Sequence, residues 1–172
     1  MASVDLPRYR KCFVCGVDNP CGLRTRPRLE DNAVVIEFTP EERHCGFKSW
    51  LHGGITASLL DEAMFWAAAV GLQRMVATAE LSVRYLKPVP IGTKLRAVAQ
   101  LVKCRGVLDW TRASLLDGNG TEFAAATGRY AAIQRSDQTL AQFFPDDSEM
   151  SGADLQQFRI EPEESRPSSQ RR

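Results

Sequence analysis

The sequence predicts one α+β domain in which an antiparallel sheet covers a single long helix. Three observations predict it: an apolar segment of helical length at residues 51–71, four later segments with apolar side chains at every second position, and short turns between them. One helix followed by short-linked strands is typical of the α+β class. A chain of 172 residues is long enough for one core of this kind.

The segment LHGGITASLLDEAMFWAAAVG, residues 51–71, predicts a helix that is buried on almost every side. Between Gly54 and Gly71 its only polar residues are Thr56, Ser58, Asp61 and Glu62. A surface helix carries a polar face, so a helix this apolar has to be covered nearly all round. The small residues at 67–69 suit close approach by a curved sheet.

The strand segments alternate and are separated by turn residues. AVVIEF at 33–38 predicts one strand, and a further strand is predicted around residues 23–29. After the helix, the predicted strands are ATAELSVRYL, TKLRAVAQLVK, VLDWTRASLLD and EFAAATGRYAAI. The Asp-Gly-Asn-Gly sequence at 117–120 is a strong hairpin signal between the last two.

The two ends of the chain differ from this middle part. We predict an N-terminal extension with a cysteine-containing loop at residues 1–20, the domain at 21–133, and a polar, partly disordered tail at 134–172. Disorder is expected from about Glu161, because too little apolar surface remains to offset chain entropy. The residues expected to dock a short tail segment back onto the domain are Leu140, Phe143, Phe144, Leu155 and Phe158.

Composition disfavours several classes of partner. The net charge is +1, with acids and bases mixed along the chain, which disfavours binding to nucleic acid or to an anionic membrane surface. No uninterrupted apolar run of membrane-spanning length occurs, and the N-terminus does not resemble a targeting segment. Five cysteines without a signal peptide indicate reduced thiols, so we predict a cytoplasmic protein.

The start of the helix and its acids predict a site. His52, Gly53 and Gly54 precede the helical pattern, where uncovered backbone N–H groups at the positive end of the helix dipole bind anions or a developing oxyanion. Asp61 lies about two turns further along the same face, too far for a cap. It therefore faces a cavity or a subunit boundary, or forms a buried salt bridge. Glu62 is rotated by about 100° and is solvated or paired with an arginine.

These motifs resemble a known family. HGGITASLLDEA followed by TAELSVRYLKPVPIG is similar to the hotdog-fold acyl-CoA thioesterases of the phenylacetate-pathway type. The segment CFVCGVDNPCGL is similar to the subgroup that includes the thioesterase superfamily member 4 type. The resemblance covers about residues 12–133 and implies a hotdog fold, in which a curved antiparallel sheet wraps around one long central helix.

The resemblance also implies roles for individual residues. The Gly53 N–H would stabilise the oxyanion, His52 would help to orient the thioester, and Asp61 would act as nucleophile or general base. Thr78 would position the water or the acid. The resemblance further implies a homodimer or a dimer of dimers, with Asp61 and Thr78 of one chain facing Gly53 of the other. No cofactor is expected, since coenzyme A is part of the substrate.

Two further sets of residues are candidate ligands. Gly54, together with Lys103 and Arg105 at a strand end, is predicted to bind substrate, the two cations by meeting coenzyme A phosphates. Cys12-x2-Cys15 with Cys21 has the spacing of zinc ligands, but a structural site needs four. The nearest additional candidates, His44 and Cys45, lie over twenty residues away, so we interpret the cysteines as small loop side chains and predict no metal.

The sequence therefore favours hydrolysis of an acyl or aroyl thioester to free acid and coenzyme A. No Gly-x-Ser-x-Gly elbow occurs, but a carboxylate and an oxyanion hole suffice for a thioester because its thiolate leaves easily. Two alternatives remain: an acyl-CoA binding or regulatory module without catalysis, and a hotdog dehydratase or hydratase. The dehydratase is disfavoured because the helix lacks the expected histidine and acid pair.

Overall fold

A seven-stranded antiparallel sheet curves around one long helix in the computed structural model, which describes residues 3–133 and 159–165. The helix, α1, spans Gly53–Leu72. The strands are β1 Val4–Asp5, β2 Pro27–Glu30, β3 Ala33–Phe38, β4 Cys45–Phe47, β5 Trp50–Leu51, β6 Val76–Tyr85, β7 Leu95–Arg105, β8 Leu108–Asp117 and β9 Glu122–Ala132. The α+β fold with one central helix is therefore confirmed.

The strand order places β6 at an edge of the sheet. The order is β1-β2-β3-β7-β8-β9-β6, and β4 pairs with β5 in a separate small hairpin. Consecutive strands β7, β8 and β9 are joined by tight turns, as the turn residues at 105–106 and 117–120 predicted. Among the described residues, strand β6, which follows α1 directly, pairs only with β9, so one side of this ten-residue strand has no partner there.

Helix α1 is the core of the domain, as its composition predicted. Leu59, Leu60, Ala63 and Met64 have no exposed surface, and the alanines at 67–69 are buried against the sheet. Gly71 allows the closest approach, because a Cβ at this position would lie 2.3 Å from the Leu101 side chain on β7. By length and composition α1 is also long and apolar enough to cross a membrane, but here it is the helix inside the sheet.

Both predicted end segments contain residues that pack on the domain. Leu6 and Cys15 are buried in the N-terminal part, and β1 adds to the sheet. Ile160 is 4% exposed and belongs to the hydrophobic core. The expected disorder from about Glu161 stays a prediction.

The segment after Ile160 is held by polar contacts to the sheet. The Glu161 backbone N–H donates to Asn32 Oδ1 at 2.7 Å, and Arg112 on β8 pairs with Glu163 at 2.5 Å. The expected docking of residues between Leu140 and Phe158 lies outside the described residues. The domain boundaries at residues 20 and 133 stay predictions.

Candidate active site

The Asp61 carboxylate on α1 is held by two hydroxyl groups from neighbouring strands. Thr78 Oγ1 on β6 donates to Asp61 Oδ1 at 3.0 Å, and the Tyr130 hydroxyl on β9 donates to the same oxygen at 2.7 Å. Asp61 Oδ2 has no hydrogen-bond partner among the residues that the structure describes. One carboxylate oxygen is therefore anchored, while the other is free to act on a ligand.

Tyr130 joins the sheet to this carboxylate. Its side chain has no exposed surface, and its hydroxyl oxygen also lies 3.2 Å from the Asp61 backbone carbonyl oxygen. Burial, followed by the nearby charge of Asp61, raises the pKa of Tyr130 well above its ordinary value. The hydroxyl thus stays protonated and remains a donor. Gly128 leaves room for the ring, since a Cβ there would lie 2.6 Å from Tyr130 Cε2.

The beginning of α1 presents one uncommitted N–H group. His52 is the N-cap, and its Nδ1 accepts a hydrogen bond from the Gly54 N–H at 2.9 Å. In the neutral imidazole this leaves the proton on Nε2. The Gly53 N–H has no acceptor among the described residues, so it is the free donor at the positive end of the helix dipole. The Gly54 N–H, in contrast, is already bonded to His52.

Gly53 is fixed by a tyrosine from β6. The Tyr85 hydroxyl donates to the Gly53 carbonyl at 2.9 Å, and the Tyr85 ring would lie 3.4 Å from a Cβ at position 53. Tyr85 is 56% exposed and lines a cavity of about 300 Å³ together with Gly53, Val89 and Phe123. Gly53 therefore lies beside a cavity of mixed character, which Thr56 and Lys87 also line.

A second cavity lies beside Asp61. It has a volume of about 340 Å³ and is lined by Tyr9, Cys12, Cys15, Asp61, Glu62, Phe65, Trp66 and Met75. Gly53 and Asp61 are eight residues apart, and a rise of about 1.5 Å per residue separates them by about 12 Å along α1. Within one chain the free N–H and the carboxylate therefore cannot contact the same carbonyl group.

Glu62, next to Asp61, faces a cysteine loop rather than solvent or an arginine. Cys12 Sγ donates to Glu62 Oε2 at 3.8 Å, and the Trp66 indole N–H donates to Glu62 Oε1 at 3.3 Å. Burial raises the pKa of Glu62 to about 7, with a further contribution from Cys12. Hydrogen bonding from Cys15 lowers the pKa of Cys12 to about 5, and the pKa of Cys15 is raised in turn.

A third acid, Asp109, lies in the core near the same strands. It pairs directly with Tyr130 across β8 and β9, and it has no exposed surface. Neither of its carboxylate oxygens has a hydrogen-bond partner among the described residues. Burial raises its pKa to about 6, and the neighbouring Cys104 thiol lowers it only in part.

The two predicted phosphate-binding cations are not brought to this site within the chain. Lys103 stacks on the Trp110 ring at 5.1 Å and lies 3.7 Å from Glu164. Arg105 is exposed at the end of β7. Neither residue lines the cavity beside Gly53 or the cavity beside Asp61.

Sequence reasoning missed the two tyrosines. The alternation in β9 indicated that Tyr130 faces the helix, and burial of a hydroxyl requires a partner, which was the available signal for its bond to Asp61. Tyr85 gave no such signal, because its position at the end of β6 is exposed. Asp61 and Thr78, which the resemblance assigns to the same side of the site, are joined by a hydrogen bond, while their catalytic roles stay predictions.

Comparisons with known proteins show what this domain is similar to. Residues 49–108 match the family model described as Thioesterase superfamily. A Schizosaccharomyces pombe relative, "Uncharacterized protein C26H8.11c", is 32% identical over 89 residues, which is 51% of this chain and 51% of that protein. A Caenorhabditis elegans relative, "Putative esterase F42H10.6", is 36% identical over 81 residues, covering 45% of this chain and 47% of that protein. The matches thus span about half the length of these relatives.

Solved structures share the fold. A thioesterase superfamily protein designated RHA08564 superposes with a TM-score of 0.65 at 25% identity, covering 71% of this chain and 60% of that one. Escherichia coli PaaI, from the phenylacetic acid degradation operon, has a TM-score of 0.59 at 19% identity over 65% and 81% of the two chains. The smu.793 protein of Streptococcus mutans bound to acetyl CoA has a TM-score of 0.57 at 18% identity over 62% and 86%.

Together with the wrapped helix, these comparisons define the fold of the domain. The domain has the hotdog fold of the thioesterase superfamily. Within that fold, this chain carries an anchored carboxylate at Asp61 and a free N–H at Gly53.

Proposed function

We propose that this protein hydrolyses acyl-CoA thioesters to free acid and coenzyme A, at a site formed by two copies of the chain. The observation that carries the proposal is the anchored Asp61 carboxylate, with Oδ1 bonded to Thr78 and Tyr130 and Oδ2 free. The S. mutans neighbour bound to acetyl CoA and the C. elegans relative named as an esterase support the substrate and reaction class. PaaI supports the phenylacetate-pathway type.

The chemistry requires a base and an oxyanion donor at the same carbonyl. With Asp61 as general base, Oδ2 takes a proton from water while the water oxygen bonds to the carbonyl carbon. The oxyanion that forms is stabilised by the Gly53 N–H and the helix dipole. The C–S bond then breaks, and the coenzyme A thiolate leaves and is protonated. No further cofactor takes part. In the alternative route, Asp61 attacks the carbonyl itself and water hydrolyses the resulting anhydride.

Two copies are needed because one chain does not bring these groups together. Strand β6 has Thr78 near its beginning and Tyr85 at its end, and its outer edge is unpaired within the described chain. Antiparallel pairing of β6 with its own copy, with Thr78 opposite the partner's Tyr85, continues the sheet across a two-fold axis. Since Thr78 holds Asp61 and Tyr85 holds Gly53, this register joins the two half-sites.

The test is turnover of a panel of short, long and aromatic acyl-CoAs by the wild type and by Asp61→Asn. Loss of thioester absorbance is the better readout, because the exposed thiols of Cys21 and Cys104 would consume a thiol reagent. Asp31→Asn is the matched control, since Asp31 is exposed and its φ of 46° suits asparagine.

We expect turnover of at least one thioester by the wild type and the control, and a loss of at least about 100-fold in Asp61→Asn. Full turnover by Asp61→Asn contradicts the role of Asp61. Binding of acyl-CoA by the wild type without hydrolysis assigns a binding module instead. Addition of water to an enoyl thioester without thiol release assigns a hydratase.

A further inference from the structure

Three potential metal ligands meet where the N-terminal loop crosses α1. Cys12 Sγ, Cys15 Sγ and a Glu62 carboxylate oxygen lie within 4.8 Å of one another. The Cys12 Sγ to Glu62 Oε2 distance is 3.8 Å. In a tetrahedral zinc site, bonds of about 2.3 Å to sulfur and about 2.0 Å to oxygen hold ligand atoms about 3.5–3.8 Å apart. The three atoms therefore already have nearly the spacing of a zinc ligand set.

The loop that carries the cysteines is tightly built. The backbone N–H groups of Val14 and Cys15 point to Cys12 Sγ at 3.3 and 3.5 Å, an arrangement that stabilises negative charge on sulfur. The Gly16 N–H closes the turn on the Cys12 carbonyl at 3.0 Å. A Cβ at Gly16 would lie 2.4 Å from that carbonyl oxygen and 2.5 Å from the Arg10 carbonyl oxygen. The sequence Cys-x2-Cys-Gly thus specifies the position of both sulfur atoms.

Glu62 supplies the ligand that the sequence could not identify. It is fifty positions from Cys12, and its hydrogen-bond partners are the Cys12 thiol and the Trp66 indole. The ion pairs found among the described residues include none to Glu62. An ionised carboxylate in an apolar core helix is costly unless an opposite charge pairs with it, and a divalent cation would supply that charge.

We propose that Cys12, Cys15 and Glu62 bind one thiophilic divalent cation, for which Zn²⁺ is the best match. Two thiolates and one carboxylate on a divalent ion suit zinc, whereas magnesium and calcium take oxygen ligands. Three protein ligands leave a fourth tetrahedral position, and the ligands line the cavity of about 340 Å³ from which a water molecule can fill it. This inference does not depend on the thioesterase proposal.

The cation would tie two parts of the chain that are distant in sequence. It joins the loop at residues 12–15 to α1 at the position directly after Asp61. The same loop forms a wall of the cavity beside Asp61. The metal therefore has a structural role, which is to hold the shape of this cavity. Neither the metal nor its ligands change oxidation state.

The experiment uses the full chain without a histidine tag. Metal content of the purified protein is measured by mass spectrometry, and the protein is then stripped with a chelator under reducing conditions and titrated with Co²⁺. Cobalt bound by two thiolates in a tetrahedral site gives intense charge-transfer bands and visible ligand-field bands, which zinc abolishes when it displaces cobalt. The charge-transfer intensity of the wild-type spectrum gives the number of thiolates bound to cobalt. This part of the test therefore needs no variant.

Variants then assign the ligands. Cys15→Ser and Glu62→Gln are compared with Cys21→Ser, because Cys21 is exposed and lies outside the cluster. We expect one cation per wild-type chain and an unchanged titration for Cys21→Ser. Cys15→Ser should lose about half of the charge-transfer intensity, and both ligand variants should bind at least about 100-fold more weakly, since even partners behind the ligands contribute about 10- to 100-fold.

Three results would overturn the proposal. The first is no cobalt–thiolate spectrum in the reduced wild type at millimolar Co²⁺. The second is an equal loss of binding in Cys21→Ser, which would place the metal elsewhere. The third is a Cys12–Cys15 disulfide recovered from cells after rapid alkylation, which would assign the pair to redox chemistry.

Discussion

Replacing Gly53 with proline removes one N–H group and little else. Gly53 is the first residue of α1, where proline is favoured and where the lost N–H has no partner in the helix. The preceding residue, His52, has φ −63° and ψ 132°, the extended conformation that a following proline prefers. We therefore expect the variant to fold, with the N–H absent from the proposed oxyanion site.

The expected loss follows from the role of a single oxyanion donor. Removing one such donor costs about 100- to 1000-fold in kcat, or about 3 to 4 kcal/mol of transition-state stabilisation. Gly53→Ala is the matched control, because it keeps the N–H and adds a Cβ at an ordinary 3.4 Å from the Tyr85 ring. We expect near-wild-type turnover from the control.

The same variant tests whether two chains share a site. Gly53→Pro and Asp61→Asn chains, co-expressed in equal amounts, form mixed dimers in half of the cases if pairing is random. Each mixed dimer has one intact site, with Asp61 from one chain and Gly53 from the other. Activity should therefore return to about a quarter of the wild-type value. The separation of about 12 Å along α1 is the structural reason.

Two results would refute this reasoning. If Gly53→Pro turns over substrate as fast as Gly53→Ala, the Gly53 N–H is not the oxyanion donor. If the mixture shows only the summed activity of the separate variants although mixed dimers are isolated, the site does not combine Gly53 and Asp61 from different chains.

Further predictions concern the strands that support the site. Tyr130→Phe removes a hydrogen-bond donor to Asp61, and a hydrogen bond to a charged group contributes about 1.5–3 kcal/mol. We therefore expect kcat/KM to fall by about 10- to 150-fold. The circular dichroism spectrum should change little. Gly128→Ala places a Cβ against the Tyr130 ring, so it should lower turnover without altering any group that contacts substrate; unchanged kinetics would contradict this. Ile160→Ala should lower the free energy of unfolding in urea by about 2–5 kcal/mol, because Ile160 is part of the core, whereas a change under about 0.5 kcal/mol would mean that it is not. The pKa of Asp109 is raised on folding from 3.8 to about 6, so the unfolded chain loses this proton at a lower pH than the folded protein does. The free energy of unfolding is therefore highest at low pH and falls as pH rises through about 4 to 6. Asparagine does not titrate, so the free energy of unfolding of Asp109→Asn should rise relative to that of the wild type by about 3 kcal/mol between about pH 4 and about pH 7. A difference that does not change with pH would refute this prediction.

The fold could be predicted because its elements are long and periodic. The segment AVVIEF coincides with β3, Ala33–Phe38, and the all-round apolar composition identified α1 as the core helix. Period and turn chemistry are local properties that one sequence displays. The short strands β4 and β5 were missed because three and two residues carry no period.

The site could be predicted only where a motif or a helical offset linked its residues. Gly53 and Asp61 lie on α1 and His52 is its N-cap, so spacing alone related them. Tyr130 reaches Asp61 through the pairing of β9 with β6. Alternation along a strand shows which face of the sheet a residue lies on, but not which residue it contacts. Ile160 is an isolated apolar residue beyond the domain pattern, so nothing in the sequence identified what it packs against.

The two adjacent acids of α1 serve different neighbours because consecutive helical residues point about 100° apart. Asp61 is directed to Thr78 and Tyr130 on the strands, whereas Glu62 is directed to the Cys12 loop. Both line the same cavity, so a change at either residue alters the space that a ligand would occupy. A loss of turnover in Glu62→Gln therefore does not make Glu62 a catalytic group. Only cobalt binding separates the two roles, because Asp61→Asn should leave the cobalt spectrum intact while Glu62→Gln should not.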